Sequence, residues 1–583
     1  MLKQYIVLPA YGFRSQTLAH AATLRAARPV AAALGGGDAG ARPAISKVDV
    51  IDSVSADGPK LVRMTPETEL QLRLEEPSLK IVPLVIYEKM RVIHEIKRVA
   101  AAAVSATSAQ GAVLRIEDAA GAPLASARVI AFSSFRTRAG DEGRTDTNGE
   151  VHLRIASGTT LERIYVYGPP RHWGRFERNF NLADGARLQL EPIDLSQDLL
   201  ALRRFRNALP LNAGQGVVVG IIDSGVDGNH PLLPNVSGGA NMVLAETMGD
   251  PGQIADWGPA AVEGEHGTHV AGIVGARPAA GLDLAGVAPG VTLRSYRVFP
   301  HTGGGATNYD IMNAIDRAVQ DGCHIINLSL GGGEEDEAVR AAIGAALDSG
   351  VLVIAAAGND GRKPVSFPGA LPFCIVVSAM GWTDSFPPSS SEASDIARPY
   401  GAHQTFLGAF SNFGPQIDLT GPGVGVVSTL PGGTFGAMSG TSMASPAVAG
   451  YAAFLFGRRQ HYIGAQRGRS QHGSSGSSLR VSHPTWLWPR LRRLWATGQG
   501  MIMSDATRRQ VILRRDGEAG LSAHEMAEKV GRAGAVVIDE KASSLLVEGD
   551  EETLRIATDA MDGWKATPMK RYAVPDTQKK IGW

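Results

Sequence analysis

The sequence predicts an α/β protein, with a central, mostly parallel sheet flanked by two α+β modules and a small β-sandwich. Three observations lead there. Between residues 195 and 500, short apolar runs alternate with helical stretches, the pattern of strands covered on both faces. Between 110 and 193, apolar and polar residues alternate with period two between turn signals. Both ends of the chain, 1–95 and 505–583, carry the order β-α-β-β-α-β. At 583 residues the chain is too long for one core, and domains with these boundaries are expected.

In the first module the strands fall near 3–11, 47–55, 59–65 and 79–90, with helices near 15–34 and 66–76. The second helix opens on Thr65-Pro66-Glu67, a capping residue followed by a proline in the first turn. This order is ferredoxin-like. The C-terminal module repeats it, with strands near 510–515, 534–540, 544–549 and 564–574 and helices near 522–530 and 550–561. Lys80, Pro83 and Tyr87 match Lys565, Pro568 and Tyr572 in spacing, which suggests two copies of one unit.

Residues 110–193 read as an antiparallel sandwich, with turns at Asp118–Gly121 and Thr147-Asn148-Gly149. The pattern resembles carboxypeptidase-regulatory-like or transthyretin-like modules and contains no catalytic set. In the central region the runs Val217–Ile222, Thr292–Val298, Ile325–Leu328, Val351–Ala356 and Ile375–Val377 are the expected parallel strands, with helices near 307–320 and 336–349. Functional groups of such a sheet gather at the carboxyl ends of its strands, where Asp223 and Asn327 fall. A basic, Gly/Ser-rich stretch at 458–484 reads as a flexible insertion.

Lys plus Arg equals Asp plus Glu at 57 each, so net charge points to neither nucleic acid nor a membrane surface. No run of about 20 apolar residues is present, and no membrane span is expected. The first residues do not read as a secretory leader, which predicts a cytoplasmic protein, or a secreted one if a leader precedes this sequence. The two cysteines, Cys323 and Cys374, adjoin apolar strands and are expected as buried thiols.

Three distant segments carry the chemistry: D-S-G-V-D from Asp223, H-G-T-H-V-A-G from His266, and G-T-S-M-A-S-P from Gly440. They offer a carboxylate, an imidazole and a hydroxyl, the parts of an activated serine nucleophile. Ser442 lies at a predicted helix start, where free N–H groups favour negative charge. Asn359, after Ala355-Ala356-Ala357-Gly358, is the candidate side-chain donor to an oxyanion.

The chain order Asp, His, Ser, together with A-A-A-G-N-D and S-L-G at Ser329–Gly331, resembles the subtilisin-like serine proteases. That resemblance implies a subtilisin-like catalytic domain and a serine endopeptidase working through an acyl-enzyme. Asp223, His266 and Ser442 would form the triad, with Asn359 in the oxyanion hole. A polypeptide substrate would lie extended along Ser329, Leu330 and Gly331, with Gly304 opposite and Ala357 and Gly358 walling the leading pocket. The family commonly carries a ferredoxin-like propeptide that inserts its tail into the cleft, so at least one terminal module is expected to pack on the enzyme and restrain it as an intramolecular inhibitor; a tail near Val85–Arg91 would have to reach the cleft across the β-sandwich that stands between. The other readings of the same residues are a catalytically idle scaffold, or a peptide ligase or esterase.

No cofactor and no metal are predicted. His269 is expected as a structural residue behind His266. The loop Arg277–Pro289 lacks the Asn-rich set with which many relatives bind calcium, and Ala447 stands where the family usually has histidine. The acids Glu334–Glu337 read as a solvated helix start, with basic substrate side chains as their alternative role.

Overall fold

A computed structural model describes residues 2–8, 47–54, 58–96, 111–248, 250–279, 281–332, 335–397, 401–470, 509–515, 522–532, 536–541, 544–549 and 564–568. They form two compact units, Met1–Met503 and Ser504–Trp583. The helices expected near 15–34 and 550–561, Tyr572, and the Gly/Ser-rich run beyond Ser470 lie outside the described residues.

The central sheet runs in the order Val236–Asn241, Thr292–Arg297, Val218–Asp223, Ile325–Leu328, Leu352–Ala356, Ile375–Trp382, Thr405–Leu407. Its pairs are parallel as far as Ile375–Trp382, which also takes Leu419–Pro422 in parallel and Thr405–Leu407 antiparallel. The apolar runs are continuous because each strand feeds two cores. Val219, Ile221, Ile325 and Ile354 join the cluster under the helices Glu265–Gly275 and Thr441–Ser470. Ile222, Ile326, Leu328, Val353 and Ala355 join the cluster under Asn308–Gln320 and Glu337–Asp348. Those two helices start where sequence chemistry puts them. Thr307 Oγ1 accepts from Asp310 N, and Asp336 Oδ1 accepts from Ala338 N and Val339 N. Cys323 and Cys374 are buried free thiols.

The helix Thr441–Ser470 runs past Arg458, where the sequence suggested a flexible loop. Its Arg, Gln and Ala residues there are good helix formers, and they continue a helix already nucleated in the core.

In the N-terminal region, four antiparallel strands stand in the order Asp49–Ser53, Lys60–Met64, Lys3–Leu8, Lys80–Pro83. One face packs on the helix Pro66–Glu75 through Tyr5, Val7, Val62, Met64 and Leu72. The other face, Ile6, Leu8, Leu61 and Val82, enters the same cluster as the helices Asn308–Gln320 and Glu337–Asp348. The strand expected over 79–90 is two strands. Lys80–Pro83 closes this sheet, and Ile86–Lys89 leaves it for the central region.

Residues 111–190 form two sheets that share one apolar cluster. One is ordered Arg175–Leu182, Thr159–Tyr167, Arg128–Ser134, Ala139–Arg144, the other Ala186–Leu190, Gly111–Asp118, Glu150–Ala156. One pair departs from the antiparallel expectation: Ala186–Leu190 runs parallel to Gly111–Asp118. Alternation of side chains records which face is buried and not the direction of the partner strand.

The unit Ser504–Trp583 has four strands in the order Val536–Lys541, Ser544–Gly549, Arg509–Arg515, Trp564–Pro568. Pro568 pairs with Val511 and Lys565 with Arg514, just as Pro83 pairs with Tyr5 and Lys80 with Leu8. The matched Lys and Pro therefore share a register in both sheets. No described helix is long and apolar enough to cross a membrane.

The helix Glu265–Gly275 is seated by a close approach at Gly272. A Cβ there would lie 2.1 Å from Thr429 Oγ1 and 2.4 Å from Ser428 Oγ. Those hydroxyls cannot swing away freely, because they donate to Thr268 O and His269 O. Gly272→Ala is expected to lower stability by about 1–3 kcal/mol, read as a lower denaturant midpoint.

Candidate active site

Asp223 ends the third strand of the sheet, and the helix that begins at Glu265 brings His266 to it. His266 Nδ1 donates to Asp223 Oδ1 at 2.7 Å, and both side chains are fully buried. Asp223 Oδ1 also accepts from Ser224 N at 2.7 Å. This bond fixes the imidazole with its proton on Nδ1 and leaves Nε2 as the basic atom. Among the described residues His266 Nε2 has no hydrogen-bond partner.

Ser442 is the second residue of its helix and is fully buried. Its Oγ donates to Ser329 O at 2.9 Å. Pro446, four residues on, has no N–H to give to Ser442 O. The Ser329 hydroxyl supplies that bond instead, at 2.9 Å. Ser329 Oγ in turn accepts from Asn327 Nδ2 at 2.9 Å, and Asn327 Oδ1 accepts from Ser445 Oγ. The start of the Ser442 helix is thereby tied to the end of the Ile325–Leu328 strand.

Asn359 is held by its carbonyl: Oδ1 accepts from Thr441 N and Thr441 Oγ1, both at 2.9 Å. Its Nδ2 is buried without a partner. A Cβ on Gly440 would lie 2.4 Å from Met90 O and 3.2 Å from Asn359 Nδ2, so that amide and the Met90 carbonyl share one small space.

The chain itself occupies this space. Ile86–Lys89 is the middle strand of a three-stranded sheet. It pairs antiparallel with Ala306–Thr307 on one side and Leu330–Gly331 on the other. Met90 N donates to Ser329 O at 3.2 Å, and Met90 O accepts from Ser442 N at 3.1 Å. Val92 N then donates to Ser439 O at 2.9 Å. Gly305 and Gly331 permit the approach. A Cβ on Gly305 would lie 2.3 Å from Ile86 Cγ2, and one on Gly331 2.7 Å from Met90 Cε. On the far edge the pairing strand begins at Ala306, two residues beyond Gly304. Ala357 is buried, and Gly358 N donates to Thr441 Oγ1 at 3.1 Å, beside Asn359.

Three groups around this segment escape sequence reading. Tyr87 is fully buried and donates its hydroxyl to Asp336 Oδ2, the residue that also caps the next helix. Lys80 Nζ pairs with Glu337 at 2.9 Å. The described acids of that run thus include a cap and a docking point for the N-terminal region. Arg91 Nη1 meets Glu265 at 2.6 Å and Nη2 meets Glu263 at 2.9 Å. Burial pushes the Glu265 carboxyl up, but Arg91, the backbone N–H of Glu265 and Lys89 together hold the group below its ordinary value. The signals were an exposed-looking glutamate beside a histidine and a lone arginine after a hydrophobic strand, neither distinctive on its own.

His269 donates from Nε2 to Val426 O at 2.9 Å and Gly436 O at 3.2 Å. Burial pushes its pKa down to about 3, helped by the nearby His266. Among the described residues no group of three or more His, Cys, Asp or Glu converges in a way that could hold a metal ion.

The sequence profile of the subtilase family matches residues 214–470. The subtilisin of Bacillus pumilus is 37% identical over 257 residues, which cover 43% of this chain and 81% of that protein. Subtilisin DY of Bacillus licheniformis is 35% identical over 274 residues, 46% of this chain and 85% of that one. Subtilisin E of Bacillus subtilis (strain 168) is 37% identical over 257 residues, but the chain spans only 58% of its length. Among solved structures, an S41 psychrophilic protease is 27% identical, with 52% of this chain and 92% of that one covered and a TM-score of 0.41.

The depressed His269 pKa makes stability depend on pH. Between the free value of 6.5 and about 3, the unfolded chain binds a proton that the native imidazole refuses. Stability therefore falls as pH is lowered through that window. In His269→Gln, which has no imidazole to titrate, the acid limb of a urea-denaturation series should be shallower, by up to about 1.4 kcal/mol per pH unit.

Proposed function

This chain belongs to the subtilase family, and from that premise we propose that it is a serine endopeptidase whose own residues 86–92 lie in its cleft as a first substrate. The observation that carries this reading is the Met90 carbonyl. It accepts from Ser442 N at 3.1 Å at the end of a strand paired on both edges. An extended peptide recognised through its backbone is held in this way.

In this reading Ser442 Oγ turns about its Cα–Cβ bond from Ser329 O to His266 Nε2, gives up its proton there and attacks the Met90 carbonyl carbon. Contacts of this kind are often unmade before the reacting complex forms. The oxygen of the tetrahedral intermediate takes its charge between Ser442 N and Asn359 Nδ2, whose missing hydrogen bond is then made. Asp223 keeps the imidazole oriented and steadies its positive form. His266 passes the proton to the departing Arg91 nitrogen, leaving an acyl-enzyme on Ser442 that water hydrolyses. Ser329, Leu330 and Gly331 bind the acyl side by backbone, with Ala306–Thr307 opposite, Gly304 leading into that edge, and Ala357 and Gly358 beside the leading pocket.

The N-terminal region, 1–95, is the restraint. Its sheet buries one face on the enzyme helices, Lys80 and Tyr87 anchor it to Glu337 and Asp336, and its continuation blocks the cleft. The shared strand order and the shared Lys/Pro register support reading it and residues 505–583 as two ferredoxin-like modules. Residues 110–193 are then a β-sandwich domain between the restraint and the enzyme, 195–500.

Mass spectrometry of the purified protein should show scission between Met90 and Arg91. Ser442→Ala should remain one intact chain, and Asn359→Ala should process about 10²–10³-fold more slowly. Processing at a different bond, or undiminished processing in Ser442→Ala, would sink the reading.

A further inference from the structure

Beyond Met90 the chain does not enter solvent. Arg91 sits 12% exposed between Glu265 and Glu263, and Arg128 of the two-sheet domain also reaches Glu263, at 3.8 Å. Three residues on, His94 N donates to Tyr167 Oη at 3.0 Å. The His94 ring lies 4.1 Å from the ring of Tyr165, with Phe135 edge-on at 5.6 Å and Phe132 at 6.3 Å. Arg163 lies 3.6 Å over Phe135, closing the far side of the cluster.

This cluster takes in the passing segment through apolar and ring contacts. The apolar residues packed with Ile130, Phe132 and Tyr165 are Ile93, Ile96, Phe135, Tyr167 and Phe176, all from the segment or the domain itself. A cavity of about 430 Å³, lined by residues that include Arg91, His94, Arg128, Tyr167, Glu265 and Asp395, adjoins the run, so the crevice is wider than the strand it holds. Burial, then the charges of Arg138 and Arg163, push the His94 imidazole down to about 4, so the ring held there is uncharged.

We propose that the two-sheet domain forms the leaving-group half of the substrate cleft. Its rings around Tyr165 take a neutral aromatic side chain four residues beyond the cut bond, and Glu263 with Glu265 takes a basic side chain directly after it. This rests on the peptidase reading above and adds to it an aromatic selectivity supplied by the two-sheet domain, beside a basic preference set by two acids of the enzyme itself. A substrate lacking the ring leaves the aromatic faces without a stacking partner, and one lacking the base leaves the partly buried Glu265 without the guanidinium that meets it.

The test uses the full chain after its own processing and after the freed residues 1–90, which otherwise fill the cleft, have been separated from it. One substrate is a quenched fluorescent peptide copying Tyr87–Ile96, with His, Phe or Ala at the fourth position after the cut and Arg or Ala at the first. The other is Tyr-Glu-Lys-Met-p-nitroanilide, which ends at the cut. In the parent, Phe or His at the fourth position should exceed Ala by about tenfold in kcat/KM, as should Arg over Ala at the first. Tyr165→Ala should erase the fourth-position preference and leave nitroanilide turnover unchanged. Phe135→Ala, which removes a half-buried ring, should weaken the same preference if the Tyr165 variant does not fold. A parent indifferent to the fourth residue, or a preference that survives loss of these rings, overturns the proposal. No nitroanilide turnover in the parent overturns the peptidase reading itself, and this proposal with it.

Discussion

Ser329 is the point at which three separated stretches of the chain are fastened together. Its hydroxyl donates to the Ser442 carbonyl that Pro446 cannot serve, and its own carbonyl accepts both the Ser442 hydroxyl and Met90 N. One residue thus sets the start of the Ser442 helix, parks the proposed nucleophile and registers the peptide in the cleft. A buried carbonyl left unsatisfied would cost on the order of 1–3 kcal/mol, so the proline and the serine are physically coupled although they lie far apart in sequence. The Asp223–His266 pair is assembled independently, by a strand end and a helix start, and in the proposed mechanism a rotation of the Ser442 hydroxyl joins the two.

The same geometry explains how an intact chain can sit in its own cleft. Backbone pairing on both edges holds Ile86–Lys89, and the glycines at 305 and 331 leave room for it. The holding force is shared with distant contacts, because the sheet of the N-terminal region buries Ile6, Leu8, Leu61 and Val82 on the enzyme helices. Scission of one peptide bond would not by itself release such a segment, since most of its burial lies upstream of Met90. On the other side, Arg91–Ile96 is gripped by carboxylates and rings. The two halves are retained by different chemistry, apolar burial before the bond and charge with aromatic stacking after it.

Acidic residues near the cleft divide by environment. Glu265 is shifted toward its ionised form because Arg91, its own backbone N–H and Lys89 together offset its burial, and Asp336 serves as a cap that also receives Tyr87. Glu392 and Asp395, buried beside the leaving side, are pushed upward by burial, and Asp395 further by its neighbour Glu392. Carboxyls lining the same cavity are therefore shifted in opposite directions, Glu265 toward the ionised form and Glu392 and Asp395 toward the neutral one.

Asp223, His266, Ser442 and Asn359 were legible in the sequence because each sits in a short motif whose glycines and small residues answer local backbone demands. The parallel strands were legible for a similar reason: doubly covered strands must be apolar throughout. Strand Lys80–Lys89 was legible as extended chain but not as two strands in two sheets, since alternation records burial and not the identity of the partner. The parallel edge pair of the two-sheet domain was missed on the same ground, and the helix beyond Arg458 because polar composition reads as loop where tertiary packing has already nucleated a helix. The pairing of Arg91 with Glu263 and Glu265, the ring cluster around His94 and the service Ser329 gives to Pro446 join residues tens to hundreds of positions apart. The sequence by itself determined which groups could do chemistry and which doubly covered segments would be strands, because those depend on neighbours along the chain. Only the tertiary structure decided what lies in the cleft and what grips it, because those contacts exist only once distant segments share one core.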